Sequence, residues 1–315
     1  MTLSLIATML TSVSAWAGEK INETLSAQAK GDVVIEVESG RVEIKTWNKN
    51  EVKVAGELDD DAEGYKFVAD GDRVIFKVEM PERRWNSGWN SSNDKGSVLE
   101  FYIPNGSELK FEGVNVNVAV ADVEGGSRIN TVNGDVDAEN LSSRVKLETV
   151  NGDIKGVNLS GKVYLHTVNG EVDDTNSQGE VTIETVNGDI TSVTMATEVN
   201  MDNVNGDLKV VTVNANEVEI NTVNGDLDIE LSMSEKGKFS FSSVGGDADI
   251  VFVGDVSADF DIEAHAGGDI DNYLSSHKPE EAKYGPSEWL KFTLGNGDAD
   301  VEVDTVNGDI ALKKK

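Results

Sequence analysis

Thr131-Val132-Asn133-Gly134-Asp135 decides how this chain folds, because the chain repeats it. The same five positions return at residues 149–153, 167–171, 185–189, 203–207 and 222–226, with Glu171 and Asn203 as the only departures. The asparagines stand at 133, 151, 169, 187, 205 and 224, so four steps of 18 residues are followed by one of 19. The spacing then loosens through Gly245-Gly246-Asp247 and Gly267-Gly268-Asp269, and closes with Asn296-Gly297-Asp298 and Asn307-Gly308-Asp309. Self-similarity at a fixed period marks a repeat architecture, and the period selects which one.

Working outward from the motif, Arg144-Val145-Lys146-Leu147-Glu148-Thr149 alternates apolar and polar side chains, Asn151-Gly152 interrupts, and Asp153-Ile154-Lys155 resumes before a break at Gly156. Alternation at period two, rich in Val, Ile and Thr, is strand, and Asn-Gly is a strong turn signal. A propeller blade needs about 40 residues, whereas about 18–22 suit one coil of a β-solenoid, with successive coils about 4.8 Å apart. Crossovers between parallel strands are right-handed in nearly all proteins. The expected fold is therefore all-β: a right-handed parallel β-solenoid (β-helix) of 18–22-residue coils with an irregular β N-terminal capping region.

The pattern also names the core. Val145 and Leu147, Val163 and Leu165, Val181 and Ile183, Val199 and Met201, and Val218 and Ile220 are equivalent inward pairs. Ile154, Val172, Ile190, Leu208 and Leu227 follow inward after the turn, while Lys146, Glu148, Glu184 and Glu219 face solvent. Each buried aliphatic side chain contributes roughly 1.5–3 kcal/mol, and no coil folds without its neighbours.

The flanks divide the chain. Residues 1–17 read as a signal peptide: an apolar run over 3–13, then Ala15-Trp16-Ala17 before polar Gly18-Glu19-Lys20. Residues 18–112 read as N-terminal β strands and capping region, with strand pairs over 33–54 and 65–80. A polar loop at 81–96 should protrude between two of these strands. Residues 113–315 read as the solenoid repeat, interrupted by an excursion at 273–290 that carries Pro279 and Pro286 and has room for one helical turn.

Of 315 residues, 27 are Lys or Arg and 58 are Asp or Glu, giving a net charge of −31. A phosphate backbone would meet a surface of its own sign, which excludes a simple nucleic-acid binder. The absence of cysteine removes disulfides, thiolate nucleophiles and Cys-ligated metal centres, and leaves His166, His265 and His277 as the only imidazoles. No stretch of the mature chain reaches the length of a transmembrane segment.

The sequence resembles the bacterial envelope "putative adhesin" β-strand-repeat family, a domain of unknown function. The likeness rests on an exported N-terminus, Ser39-Gly40-Arg41-Val42-Glu43-Ile44-Lys45-Thr46-Trp47, the following Val52-Lys53-Val54-Ala55-Gly56, a strand ending at Pro81, and an Arg/Ser/Asn-rich loop. It continues through the returning Tyr102-Ile103-Pro104 and the Thr-Val-Asn-Gly-Asp coils that close over 305–312. The resemblance implies a parallel β-solenoid at the cell envelope and supplies no catalytic residue.

Three features are candidates for chemistry. The first is a ladder of carboxylates, Asp135, Asp153, Glu171, Asp189, Asp207 and Asp226, one per coil. At about 4.8 Å such charges repel, so each either accepts turn N–H groups or splays into solvent, with Ca2+ binding as the sharper alternative. The second is the loop with Arg83, Arg84, Trp85 and Trp89, whose exposed aromatics beside arginines suit contact with a glycan or protein, unless both rings fold back as a cap. The third is a hydrolase or lyase site like those of solenoid polysaccharide enzymes, but the acids follow the repeat and His166 takes a glutamate position in its coil. The reading is a non-catalytic, adhesin-like binding or structural scaffold, with no cofactor and no metal, whose partner is an unidentified envelope protein or glycan. It is expected to be exported, with the periplasm ahead of the cell surface or medium. The competing readings are a solenoid polysaccharide lyase or hydrolase and a Ca2+-stabilised surface adhesin.

Overall fold

The computed structural model describes residues 18–81 and 96–315. Among the described residues there are 25 strands and no helix, all joined in one hydrogen-bonded system. None of these residues forms a helix long and apolar enough to cross a membrane.

Through the repeat, the 18-residue period becomes a pairing register. Strand Arg144–Asn151 lies parallel to Ser160–Asn169, with Val145 opposite Val163, Leu147 opposite Leu165 and Asn151 opposite Asn169. The same register carries Val163 to Val181 and Ile183 to Met201. On the second face Ile154 pairs with Val172, and Val172 with Ile190. Every one of the fifteen aliphatic residues expected to point inward is at most 2% exposed. Like therefore stacks on like in one column per position, which fixes the register, since a slip of one residue would turn each column outward.

The threonine of each motif adds a third inward column. Thr131, Thr149, Thr167 and Thr185 are buried, and Thr149 and Thr167 donate their hydroxyls to the carbonyls of Gly134 and Gly152 at 3.1 and 3.0 Å. Where asparagine replaces threonine, Asn203 Nδ2 donates to Thr185 Oγ1 at 2.8 Å and to the Gly188 carbonyl at 2.9 Å. The Asn-Gly dipeptide does not close a hairpin. It turns a corner between two strands that each pair with their equivalents in adjacent coils. Glycine is required there because the chain passes close to the coil beneath: a Cβ on Gly206, at φ 139°, would sit 2.3 Å from the Gly188 carbonyl oxygen.

The sheet is mixed, because both ends add antiparallel strands to the parallel stack. At the amino end, strand Asp32–Trp47 lies between Glu108–Ala121 on one side and both Arg73–Glu79 and Ser97–Pro104 on the other, all parallel to it. Antiparallel strands Gly64–Asp70, Glu51–Glu57 and Lys20–Ser26 close that end. At the carboxyl end the coil order departs from the sequence order. Strand Ala299–Asn307 pairs with the 238–245 part of Leu227–Gly245 on one side and with Ala258–Ala264 on the other. Ile310–Lys314 is likewise held between Ala248–Phe252 and Ile270–Asn272. The last coil in sequence is thus inserted beneath the one before it. The excursion expected to hold a helical turn instead carries Glu280–Glu281 antiparallel to Glu288–Leu294, and the latter pairs antiparallel with Ala258–Ala264. Antiparallel strands thus cover the outer edges of Arg73–Glu79, Ser97–Pro104 and Ala258–Ala264, while Ile270–Asn272 pairs with Ile310–Lys314 alone.

Candidate functional site

Strand Ser97–Pro104 begins beside strand Asp32–Trp47 at a corner whose chemistry is visible. Strand Asp32–Trp47 bends at Ser39-Gly40, with residues 73–77 beside its first half and Ser97–Pro104 beside its second. Buried Asp59 pins the bend: Ser39 Oγ donates to Asp59 Oδ2, the Asp59 amide donates to Ser97 Oγ at 3.0 Å, and Asp59 Oδ1 accepts the Asp61 amide at 2.9 Å. Gly40, at φ 121°, meets Ser97 so closely that a Cβ would fall 1.9 Å from the Ser97 carbonyl oxygen. Arg83, Arg84, Trp85 and Trp89 themselves lie outside the described residues.

On the outer face of the same two strands is a cluster that sequence reasoning missed. Trp47 and Tyr102 have ring centroids 5.4 Å apart, Lys49 Nζ stands 4.5 Å over the Trp47 ring, and Trp47 Nε1 donates to the Glu51 carbonyl at 2.7 Å. Tyr102 Oη and Lys45 Nζ both donate to Glu100 Oε1, at 2.8 and 3.1 Å, and Lys45 also pairs with Glu43 at 2.8 Å. The hydrogen bonds from Tyr102 and Lys45 hold the Glu100 carboxyl below its ordinary range. The hydrogen bonds that Lys45 donates to Glu43 and Glu100 push its ammonium up. A shallow groove of about 370 Å3 runs from Glu43 and Lys45 across Ala119 and Ala121 to Asp137 and Lys155. The signal for this cluster was present in the outward alternation of Glu43, Lys45 and Trp47, which reads as an ordinary solvated face until Tyr102 is placed beside it. Flat aromatic rings flanked by fixed donors and acceptors are suited to stacking on sugar rings or receiving a protein side chain.

The carboxylate ladder is occupied with backbone. Asp135 Oδ1 accepts the Asp153 amide at 3.1 Å, Asp153 Oδ1 the Glu171 amide at 2.8 Å, Asp189 Oδ1 the Asp207 amide at 2.9 Å, and Asp207 Oδ1 the Asp226 amide at 3.1 Å. Beside it the motif asparagines form an amide ladder from Asn115 to Asn224, with Nδ2 to Oδ1 distances of 2.7–3.1 Å. These bonds give the repelling carboxylates a reason to stay in line without an ion between them.

The histidines separate. His166 is on the outer face of its strand, stacked on Tyr164 at 6.2 Å, with Nδ1 3.5 Å from Glu184 Oε2. Burial, then the hydrogen bond to Glu184, pushes the Tyr164 hydroxyl up. His277 stacks on Phe292 at 5.3 Å. His265 lies between two carboxylates at the carboxyl end.

No curated protein matches the chain. Among solved structures, it is similar to a putative cell adhesion protein from Clostridium sporogenes, at 11% identity over 94% of this chain and 100% of that one, with a TM-score of 0.24. A putative lipid binding protein from Parabacteroides distasonis aligns at 10% identity over 95% and 97%, TM-score 0.45. A putative adhesin from Bacteroides fragilis aligns at 12% identity over 93% and 97%, TM-score 0.33. The Toastrack DUF4097 family model matches residues 31–313. Over residues 31–313 the chain belongs to that family, a domain of unknown function.

Proposed function

We propose that this chain is a non-catalytic, adhesin-like binding scaffold of the bacterial envelope, exported by the signal at residues 1–17 and working foremost in the periplasm. Its partner is an envelope protein or glycan held by Arg83, Arg84, Trp85 and Trp89 together with the Trp47–Tyr102 face. The observation that carries this reading is the aromatic and cationic cluster of Trp47, Lys49 and Tyr102 on the outer face of the paired strands Asp32–Trp47 and Ser97–Pro104. A binding face built on paired strands needs little reordering on association. In this reading the coils wind right-handed, residues 18–112 cap the stack, and residues 113–315 form the repeat. The carboxylates support a non-catalytic role, because the ladder spends them on backbone amides one coil away.

Capture from envelope extract tests the proposal. The intact chain should retain a defined envelope component, and Trp85→Ala with Trp89→Ala, or Trp47→Ala alone, should lose it with an unchanged melting point. Unchanged capture by both variants, or release of reducing sugar from envelope polysaccharide by the purified chain, would overturn it.

A further inference from the structure

The carboxyl-terminal insertion brings together three side chains that the sequence keeps far apart. Glu263 and Asp304 face each other across the parallel strands Ala258–Ala264 and Ala299–Asn307. His265 follows the first strand by one residue. Since Ala264 pairs with Thr305, the imidazole stands at the ridge position that other coils fill with an exposed valine, such as Val132, Val150, Val204 and Val306. His265 Nε2 is 3.0 Å from Asp304 Oδ2 and 3.8 Å from Glu263 Oε2, and the three atoms lie within 4.8 Å of one another.

We propose that Glu263, His265 and Asp304 bind one divalent transition-metal ion of the Zn2+ type, clipping the inserted last coil to the layer that covers it. A tetrahedral Zn2+ with bonds of about 2.0–2.1 Å has ligand atoms roughly 3.3 Å apart, between the two distances His265 Nε2 makes here. One imidazole with two carboxylates suits first-row ions such as Zn2+ better than Ca2+ or Mg2+, which prefer oxygen alone. The surroundings hold the donors in place. Lys291 Nζ takes the other Glu263 oxygen, Oε1, at 3.3 Å, which leaves Oε2 toward the imidazole. Ser287 Oγ donates to the His265 carbonyl at 2.5 Å. All three side chains are about half exposed, so water can complete the coordination shell. Among the described residues no other group of His, Asp and Glu brings three ligand atoms this close, the His166–Glu184 pair included.

The ion would bridge residues 263 and 304, across the excursion and the antiparallel strand that closes the end. Closing so long a segment on itself in the native state favours the folded chain. No sequence motif announces the site, because its ligands are neighbours only once the last coil has threaded inward.

The test is a calorimetric Zn2+ titration and a thermal melt on the metal-stripped full chain. His265→Val, which restores the residue of neighbouring coils, is compared with His166→Val as the control. The unaltered chain and His166→Val should each take up one Zn2+ and melt at higher temperature with it. His265→Val should lose at least about tenfold in affinity and the whole thermal shift. Asp304→Asn should repeat that loss, which keeps the test valid if the histidine variant misfolds. Equal binding by His265→Val and Asp304→Asn, or no uptake by the unaltered chain up to about 100 μM Zn2+, would overturn the proposal.

Discussion

Asp153 Oδ1 accepts the backbone amide of Glu171 at 2.8 Å, yet among the described residues no such bond joins the Glu171 carboxylate to the amide of Asp189. The longer side chain in the third coil breaks a ladder that resumes at Asp189 Oδ1 and the Asp207 amide. Glu171→Asp should complete it and raise stability by about 0.5–1.5 kcal/mol in urea unfolding. Asp207→Ala, which orphans the Asp226 amide, should lower stability by a similar amount, and Asp207→Asn, which keeps an acceptor oxygen and removes a charge, should not. If the asparagine and alanine variants melt together, the oxygen is not what holds the ladder.

Asp174 points into the core at 1% exposure, held by Ser177 and by Ser192 Oγ at 3.0 Å. Burial raises its pKa, and the two serine hydroxyls work against that rise. The fold therefore favours the protonated carboxyl, so the contribution of Asp174 to stability is greatest in acid and declines as pH climbs from about 4 through the raised value, then levels off. Asp174→Asn should be more stable than the unaltered chain at pH 7, with the gap closing near pH 3.5. A gap independent of pH would show that the carboxylate's charge is not the cause.

Gly206→Ala places a methyl group 2.3 Å from the Gly188 carbonyl oxygen at a φ of 139°. A loss of at least about 2 kcal/mol is expected, from backbone strain and from pushing two coils apart. Gly71→Ala is the comparison: its φ is 66°, but no atom lies within 4 Å of the added carbon. That variant should lose only about 1 kcal/mol. Equal losses would mean that close approach between coils contributes nothing.

Ending the chain at Asp298 removes the strand that pairs with both Leu227–Gly245 and Ala258–Ala264. Two parallel edges would be left facing a slot of one coil's width, and the shortened chain should self-associate in light scattering. A synthetic peptide of residues 299–315 added in trans should suppress that association, as an added strand does at an open sheet edge. Monodisperse behaviour without the peptide would contradict the paired arrangement.

The columns of the stack were legible in the sequence for a simple reason: with period two inside a coil and 18 between coils, Val145, Val163 and Val181 admit one placement. Thr149 and Thr167 were harder to place inward, because a hydroxyl counts as polar until the Gly134 and Gly152 carbonyls are seen to accept it. The order of the coils at the carboxyl end was not legible at all. Asp309 donates its amide to Asp247 Oδ1 across 62 residues, and that bond is indistinguishable in kind from the one between neighbouring coils in the body. A repeat whose units all stack alike records what each unit sits on, not which unit that is. The Trp47–Tyr102 face stayed hidden for a related reason, since its two rings come from strands 55 residues apart whose register is set by backbone pairing.

The inserted last coil sets a rule for biogenesis. A polypeptide emerging from a ribosome or a translocon with its amino end leading lays down its layers in order until it reaches residues 258–272, whose resting place does not yet exist. That layer must wait, bare on one side, until residues 299–314 arrive and slide between it and the body. The layer at 258–272 is therefore completed out of chain order, by residues 299–314, and nicks within that segment would do the most harm.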